Sequence, residues 1–261
     1  AYWAYCEEQG QPSGQSGRIA EAPPSPPEAD LAEVARNLDI PIEQRAEHVV
    51  IISRQVVESA FQDLGSPGLP QRVHAVAEAQ AALLVSEPQA YQTLVSRFRI
   101  DFELYTHLVH TAFYAMELGR AVGLDEVDDM ANLGRAALVH DVGMADMSSP
   151  LVTKDPRAMS DVEWAEVMAH PERGVSMLQE AGWDDAACID VCAHHHERCD
   201  GSGYPCGLSA DQISVAARIV GIADTFDDLT SSRSDRPEMS GFQALWTMKR
   251  ELRGQFDEEL L

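Results

Sequence analysis

From Ile42 to Leu64 apolar residues recur with the period of an α-helix, and Gly65-Ser66-Pro67-Gly68 breaks the run. A second run extends from about Leu69 to Val85. A third begins at Pro88, a residue suited to the first turn of a helix because its missing N–H has no partner there anyway. The same period returns over residues 102–118, over Leu133–Val139, around Trp164–His170, ahead of His195 and over Ala217–Asp224. Ser160 and Glu163 carry the spacing of a capping box and mark the start of the helix expected to hold His170. Residues 1–29 break the pattern: their Gly-, Ser-, Gln- and Pro-rich stretches cannot bury enough apolar surface to offset the entropy of ordering. Tyr2, Trp3 and Tyr5 are the aromatic exception. The expectation is an all-α chain. Residues 1–29 are disordered or linker-like, 30–99 form a helical accessory segment that buttresses the remainder of the chain, and 100–261 form a helical domain bearing the chemistry.

Composition narrows the classes. A chain of 261 residues has room for one large core or two modest domains. It contains no apolar run long enough to span a bilayer and no charged-then-apolar leader, so a cytoplasmic location is expected. The net charge of −24 argues against a binder of duplex nucleic acid, which needs a basic stripe. Five cysteines (Cys6, Cys188, Cys192, Cys199, Cys206) form no CxxC pair, and their odd number argues against a disulfide framework. Cys188 and Cys192 share a helix face, and buried thiols explain them better than a zinc site.

Histidine distribution changes the picture most. Seven of the nine histidines fall between positions 107 and 196. His140-Asp141, followed by Val142-Gly143, closes an apolar helix and offers an imidazole nitrogen and two carboxylate oxygens at one backbone turn. A carboxylate there can bridge two cations while its neighbour ligates one. Glu103 and His107 lie one helical turn apart and project from one face. His170 lies on the capped helix, His195-His196 end another and run into a glycine-rich loop, and Asp224 lies in an otherwise apolar helix. A carboxylate in such a place is costly unless something cationic compensates it. Consecutive helical residues diverge by roughly 100°, so His194, His195 and His196 cannot all aim at one cluster. His110 and His194 are read mainly as neighbours of ligands, His48 and His74 as ordinary surface or core histidines, and Asp227 and Asp228 as solvated positions at a helix end.

His107, His140-Asp141, His170, His195-His196 and Asp224, in this order, resemble the metal-binding set of the HD-GYP domains, a branch of the HD phosphohydrolases. The loop from His195 through Gly203-Tyr204-Pro205 matches the family's naming motif, and the segment from Arg218 through Asp224 to Ser231 matches its next block. The likeness covers roughly residues 100–261, and the preceding helices resemble the accessory segment found before some members. It implies an all-helical HD-domain bundle, two or three iron or manganese ions, and hydrolysis of cyclic di-GMP to pGpG and/or GMP. It allows a homodimer and signalling-protein partners.

The implied mechanism is metal-assisted hydrolysis, with a water activated by the ions attacking phosphorus in line. In it Asp141 bridges, and His140, His170, His195, His196 and Asp224 flank it. Glu103 with His107 holds a third ion, as members with a third metal use a Glu at this position. Tyr204 orients the loop or contacts substrate beside Gly203, whose loop lets backbone approach. Arg233 and Arg236 suit phosphate or guanine recognition through their planar donor forks. Two or three divalent ions would bring about four to six positive charges into the cleft, which reconciles the acidic chain with a phosphate substrate.

One position departs from the family pattern: Met144 stands where members usually carry a lysine that meets phosphate. Three readings are then open. The chain is a cyclic di-GMP phosphodiesterase, or a hydrolase of another phosphoester such as hybrid cyclic GMP-AMP, or a nucleotide receptor or partner-binding protein with weak or no turnover. A complete ligand set favours catalysis.

Overall fold

A computed structural model of the protein describes residues 31–87, 104–148, 151, 154, 158–231 and 238–261. The expected linker over 1–29, the expected helix from Pro88, and Glu103, Arg233 and Arg236 lie outside the described residues. The all-α expectation holds: among the described residues there is no strand, only an isolated bridge between Asp200 and Ser209.

The helices are α1 (Leu31–Arg36), α2 (Ile42–Gln62), α3 (Leu69–Ser86), α4 (Leu104–Ala121), α5 (Val127–Val139), α6 (Asp161–Met168), α7 (His170–Glu180), α8 (Ala186–His194), α9 (Val215–Thr230) and α10 (Gly241–Arg250). Their ends follow local chemistry. Asp185 and Ser214 cap α8 and α9 by accepting from Cys188 N and Ala217 N. Ser160 and Glu163 form the expected capping box on α6. The helix begun by that box does not reach His170, however. α6 ends at Met168, Ala169 interrupts, and His170 opens α7 with Pro171 directly after it. Proline inside a continuing helix would remove a hydrogen bond and clash with the preceding turn, so a new helix starts there.

α5 lies at the centre, packed on α3, α4 and α8, while α9 bridges α4 and α8. Leu133, Ala136, Ala137, Leu138 and Val139 of α5 are buried in one cluster with Val76, Leu83, Leu108, Met116, Val191 and Ile219. Full burial of a side chain the size of Leu138 or Val139 contributes about 1.5–3 kcal/mol, so the end of α5 is firmly anchored. Helices α1 to α3 share this cluster, and the buried Arg45 guanidinium ties them by donating to Ala35 O and Ile40 O, each at 2.9 Å, and pairing with Glu87.

Candidate metal centre

The anchored end of α5 delivers His140 and Asp141 into the interior, both fully buried. The chain then turns through a short 3-10 helix, Val142–Met144, that packs on α7. Gly143 makes this approach possible: a β-carbon there would meet His170 O at 2.0 Å and Gly174 N at 2.6 Å. Arg173 closes the contact from α7 by donating to Gly143 O at 3.1 Å. The packing sets Asp141 against His170, and α8, ending just before His195, completes the group.

Three backbone carbonyls decide the chemistry of these imidazoles. His140 Nδ1 lies 2.7 Å from Ala137 O, His170 Nδ1 lies 2.7 Å from Val167 O, and His195 Nδ1 lies 3.0 Å from Val191 O. A carbonyl oxygen only accepts, so each Nδ1 carries a proton and donates, which turns Nε2 toward the centre as the atom that can meet a metal ion. His170 Nε2 and His195 Nε2 nevertheless lie 3.3 Å apart, and both approach Asp141 Oδ1, at 3.0 and 3.2 Å. His140 Nε2 lies 3.4 Å from Asp141 Oδ2. Neither Asp141 oxygen nor His140 Nε2 meets a donor with hydrogen-bond geometry among the described residues. Acceptors crowded together in a dry interior repel one another unless a cation lies between them. The donor set of neutral imidazole and carboxylate, with no thiolate, fits a divalent transition metal.

Two groups of ligand atoms result, each within 4.8 Å: Asp141, His170, His195 and His196 in one, and His107, His140 and Asp224 in the other. Asp141 joins them, since its Oδ1 faces the first group while its Oδ2 faces His140. In the second group His107 Nε2 lies 3.2 Å from Asp224 Oδ1, and His107 Nδ1 lies 2.7 Å from Asp227 Oδ2. Burial alone would lower the His107 pKa, but hydrogen bonds to Asp224 and Asp227 outweigh it and raise the value to about 10. Carboxylates around one imidazole demand positive charge there, which a proton or a divalent cation supplies. At His140 burial prevails and pushes the ring down to about 4, so it is neutral at physiological pH. Burial opposes ionisation of Asp141 and Asp224, yet the surrounding imidazoles hold both carboxyls below their usual range.

The loop after His196 folds back over the first group. Glu197, nearly buried, accepts from Cys206 N at 2.6 Å and Leu208 N at 2.9 Å, closing the loop on itself. Tyr204 N donates to His196 O at 3.2 Å, and the phenol ring stacks on His196 with centroids 4.6 Å apart. The phenol oxygen is buried without a hydrogen-bond partner among the described residues. Burial raises the Tyr204 pKa well above its ordinary value, so the group is an O–H donor. A β-carbon on Gly203 would meet Arg198 N at 2.3 Å and Glu197 Cα and His196 O at 2.5 Å. The close backbone approach anticipated at this glycine is thus made to the ligand-bearing segment itself.

Of the residues singled out in the sequence, the structure brings together His107, His140, Asp141, His170, His195, His196, Asp224 and Tyr204. His48 and His74 join neither group. His194 is partly exposed and its Nδ1 pairs with Asp190 at 2.9 Å. Met144 is 2% exposed, enclosed beside the centre. The solvated reading of Asp227 and Asp228 is overturned: α9 continues to Thr230, and both carboxylates are buried, at 1% and 3% exposure. Glu197 was also missed. Asp227 had a signal, since it lies in the same apolar helix as Asp224, one turn on, where an uncompensated carboxylate is equally costly.

The HD domain family model matches residues 61–260. The cyclic di-GMP phosphodiesterase PA4108 of Pseudomonas aeruginosa is 32% identical over 229 residues, covering 85% of this chain and 54% of that protein. The 3'3'-cGAMP-specific phosphodiesterase 3 of Vibrio cholerae is 32% identical over 219 residues, covering 81% of this chain and 46% of that protein. The chain therefore spans about half the length of these curated relatives. Among solved structures, Bd1817, an HDG"Y"P protein from Bdellovibrio bacteriovorus, superposes with a TM-score of 0.78 over 88% of this chain and 74% of that one. At 20% identity that likeness speaks for the fold alone. A family match over most of the chain places it in the HD-domain family, and the ordered His and Asp groups and the Gly203-Tyr204-Pro205 loop all lie within the matched residues.

Proposed function

We propose that the protein is a metal-dependent phosphodiesterase that hydrolyses cyclic di-GMP to pGpG and/or GMP. The observation that carries this reading is the convergence of His170 Nε2, His195 Nε2 and Asp141 Oδ1 within 3.0–3.3 Å of one another, acceptors needing a cation. Bound divalent ions, iron or manganese by the ligand chemistry, supply Lewis acidity that acidifies water and offsets phosphate charge. Asp141 holds the two groups in register with one oxygen toward each. The carbonyls at the Nδ1 atoms of His140, His170 and His195 turn Nε2 of each ring toward the centre, and His196 and Asp224 complete the groups. Tyr204 offers a buried phenol O–H to a substrate oxygen, with Gly203 allowing the loop to lie close. Arg233 and Arg236 belong to the same proposal as phosphate or guanine contacts, and Glu103 as ligand to a third ion beside His107. A cytoplasmic location is part of the proposal, supported by the free, buried thiols of Cys188 and Cys192. Among the described residues no helix is long and apolar enough to cross a membrane.

Two relatives of equal identity are named for different cyclic dinucleotides, so hybrid cyclic GMP-AMP is the second reading. Incubation of anaerobically manganese- or iron-loaded protein with each dinucleotide, followed by chromatography of products, separates the two. Products from neither, with metal bound, would leave the receptor reading that Met144 suggests. Glu103→Ala lowers the metal count by about one ion per chain if the third site is real; an unchanged count reduces the centre to two ions.

A further inference from the structure

His107 differs from the other ligands in what holds its outer nitrogen. His140, His170 and His195 each donate Nδ1–H to a carbonyl three or four residues back in the chain, so their orientation follows from the local backbone. His107 instead meets Asp227 Oδ2 at 2.7 Å, a carboxylate on α9 and distant in sequence. The other oxygen of the same carboxylate, Oδ1, lies 3.3 Å from His110 Nδ1, one turn further along α4. Ser231 Oγ donates to Oδ2 from 3.3 Å. Asp227 is thus a buried two-armed clamp between α4 and α9.

We infer that Asp227 is a positioning residue for the second group of ligands, and that it governs occupancy of the His107–His140–Asp224 position without governing the Asp141–His170–His195–His196 position. The inference rests on the metal-centre reading. The physical grounds are specific. A carboxyl group accepting from Nδ1–H at 2.7 Å leaves Nε2 facing Asp224, and such an outer partner makes the ring a stronger electron donor. It also fixes ring rotation, because α4 and α9 are held at a distance set by the 2.7 Å contact. Loss of such an outer partner typically weakens metal binding about 10–100-fold. In the first group His170 and His195 have their Nδ1 contacts on local backbone, not on Asp227.

The test is manganese titration of the chelator-stripped full chain, with bound ions counted by elemental analysis, for wild type, Asp227→Ala and Asp227→Asn. The wild type takes up at least two ions. Asp227→Ala keeps the first and binds the second about 10–100-fold more weakly. Asp227→Asn, of the same shape and still able to accept from His107 Nδ1–H, falls between them, and it decides the matter if the alanine variant fails to fold. In a His170→Ala background, which weakens the first group, adding Asp227→Ala removes the remaining ion. Wild-type affinity at both positions in either folded variant would overturn the inference, as would equal weakening of the two. A wild-type chain that takes up no ion would sink the metal-centre reading beneath it.

Discussion

His170 Nε2 and His195 Nε2 face each other across 3.3 Å, and Asp141 Oδ1 lies 3.0 Å from one and 3.2 Å from the other. Each ring donates its Nδ1–H to a backbone carbonyl, so Nε2 is the atom left to face Asp141 and whatever cation joins the three. Asp141 is therefore the residue on which both groups depend. Asp141→Ala is expected to abolish metal retention and to reduce hydrolysis of cyclic di-GMP to background. Normal turnover by that variant would show the chemistry to lie elsewhere.

Protons and metal ions compete at His107. With its pKa raised to about 10, this ring is protonated at neutral pH, whereas His140, lowered to about 4, has no proton to lose. Uptake of an ion at the second group should release about one proton per chain, and its affinity should rise with pH up to about 10. Manganese titration in weak buffer with a pH indicator measures the release; none near pH 7 would contradict the assignment. In the ion-free chain His107 contributes stability that is complete below the unfolded pKa of ~6.5 and lost as pH rises through about 10. His140 acts in the opposite sense, costing stability as pH falls from ~6.5 toward about 4.

Met144→Lys would restore the cation usual in the family. A charge-assisted contact to phosphate is worth about 1.5–3 kcal/mol, or roughly ten- to a hundred-fold. Met144 is nearly enclosed, so without substrate the new ammonium lacks water and the variant should melt at a lower temperature. The expected result is higher kcat/KM on cyclic di-GMP together with lower stability. An unchanged or lower kcat/KM would place the phosphate contact on another residue.

Gly203→Ala sets a β-carbon against backbone atoms that cannot yield cheaply. Overpacking of this kind costs about 1–3 kcal/mol, and here it strains the loop that seats Tyr204 on His196. Hydrolysis should fall, and metal content stays at the wild-type level where residues 203–205, rather than the His196 backbone that the new β-carbon meets, take up the shift. Loss of ions in a folded Gly203→Ala chain would mean that the loop supports the centre as well as covering it.

The helices carrying the site were legible because their causes are local. The apolar period, the Ser160 capping box and the break after Leu64 involve residues a few positions apart, and the structure keeps them, with α2 at Ile42–Gln62 and α3 at Leu69–Ser86. Even there periodicity alone misses one local rule: Pro171 opens a new helix at His170, so the ligand stands at a helix start, where the turn at Ala169 aims it.

The sequence by itself determined which residue types converge in the core. The order His107, His140-Asp141, His170, His195-His196, Asp224 survives as written, and the angular step of a helix separates His194 from its neighbours, leaving it with Asp190. Only the tertiary structure decided the partition into two groups, the enclosure of Met144 and the pairing of Asp227 with His107. Asp227 looked like a solvated helix-end residue because the Ser231 hydroxyl, its partner nearby in the chain, is one that a helix end also supplies. Its partner His107 is 120 residues away and arrives only when α4 packs on α9. Periodicity reports which face of a helix is buried. What a buried carboxylate meets on that face depends on which helices share the core, and that is settled by packing across the whole domain.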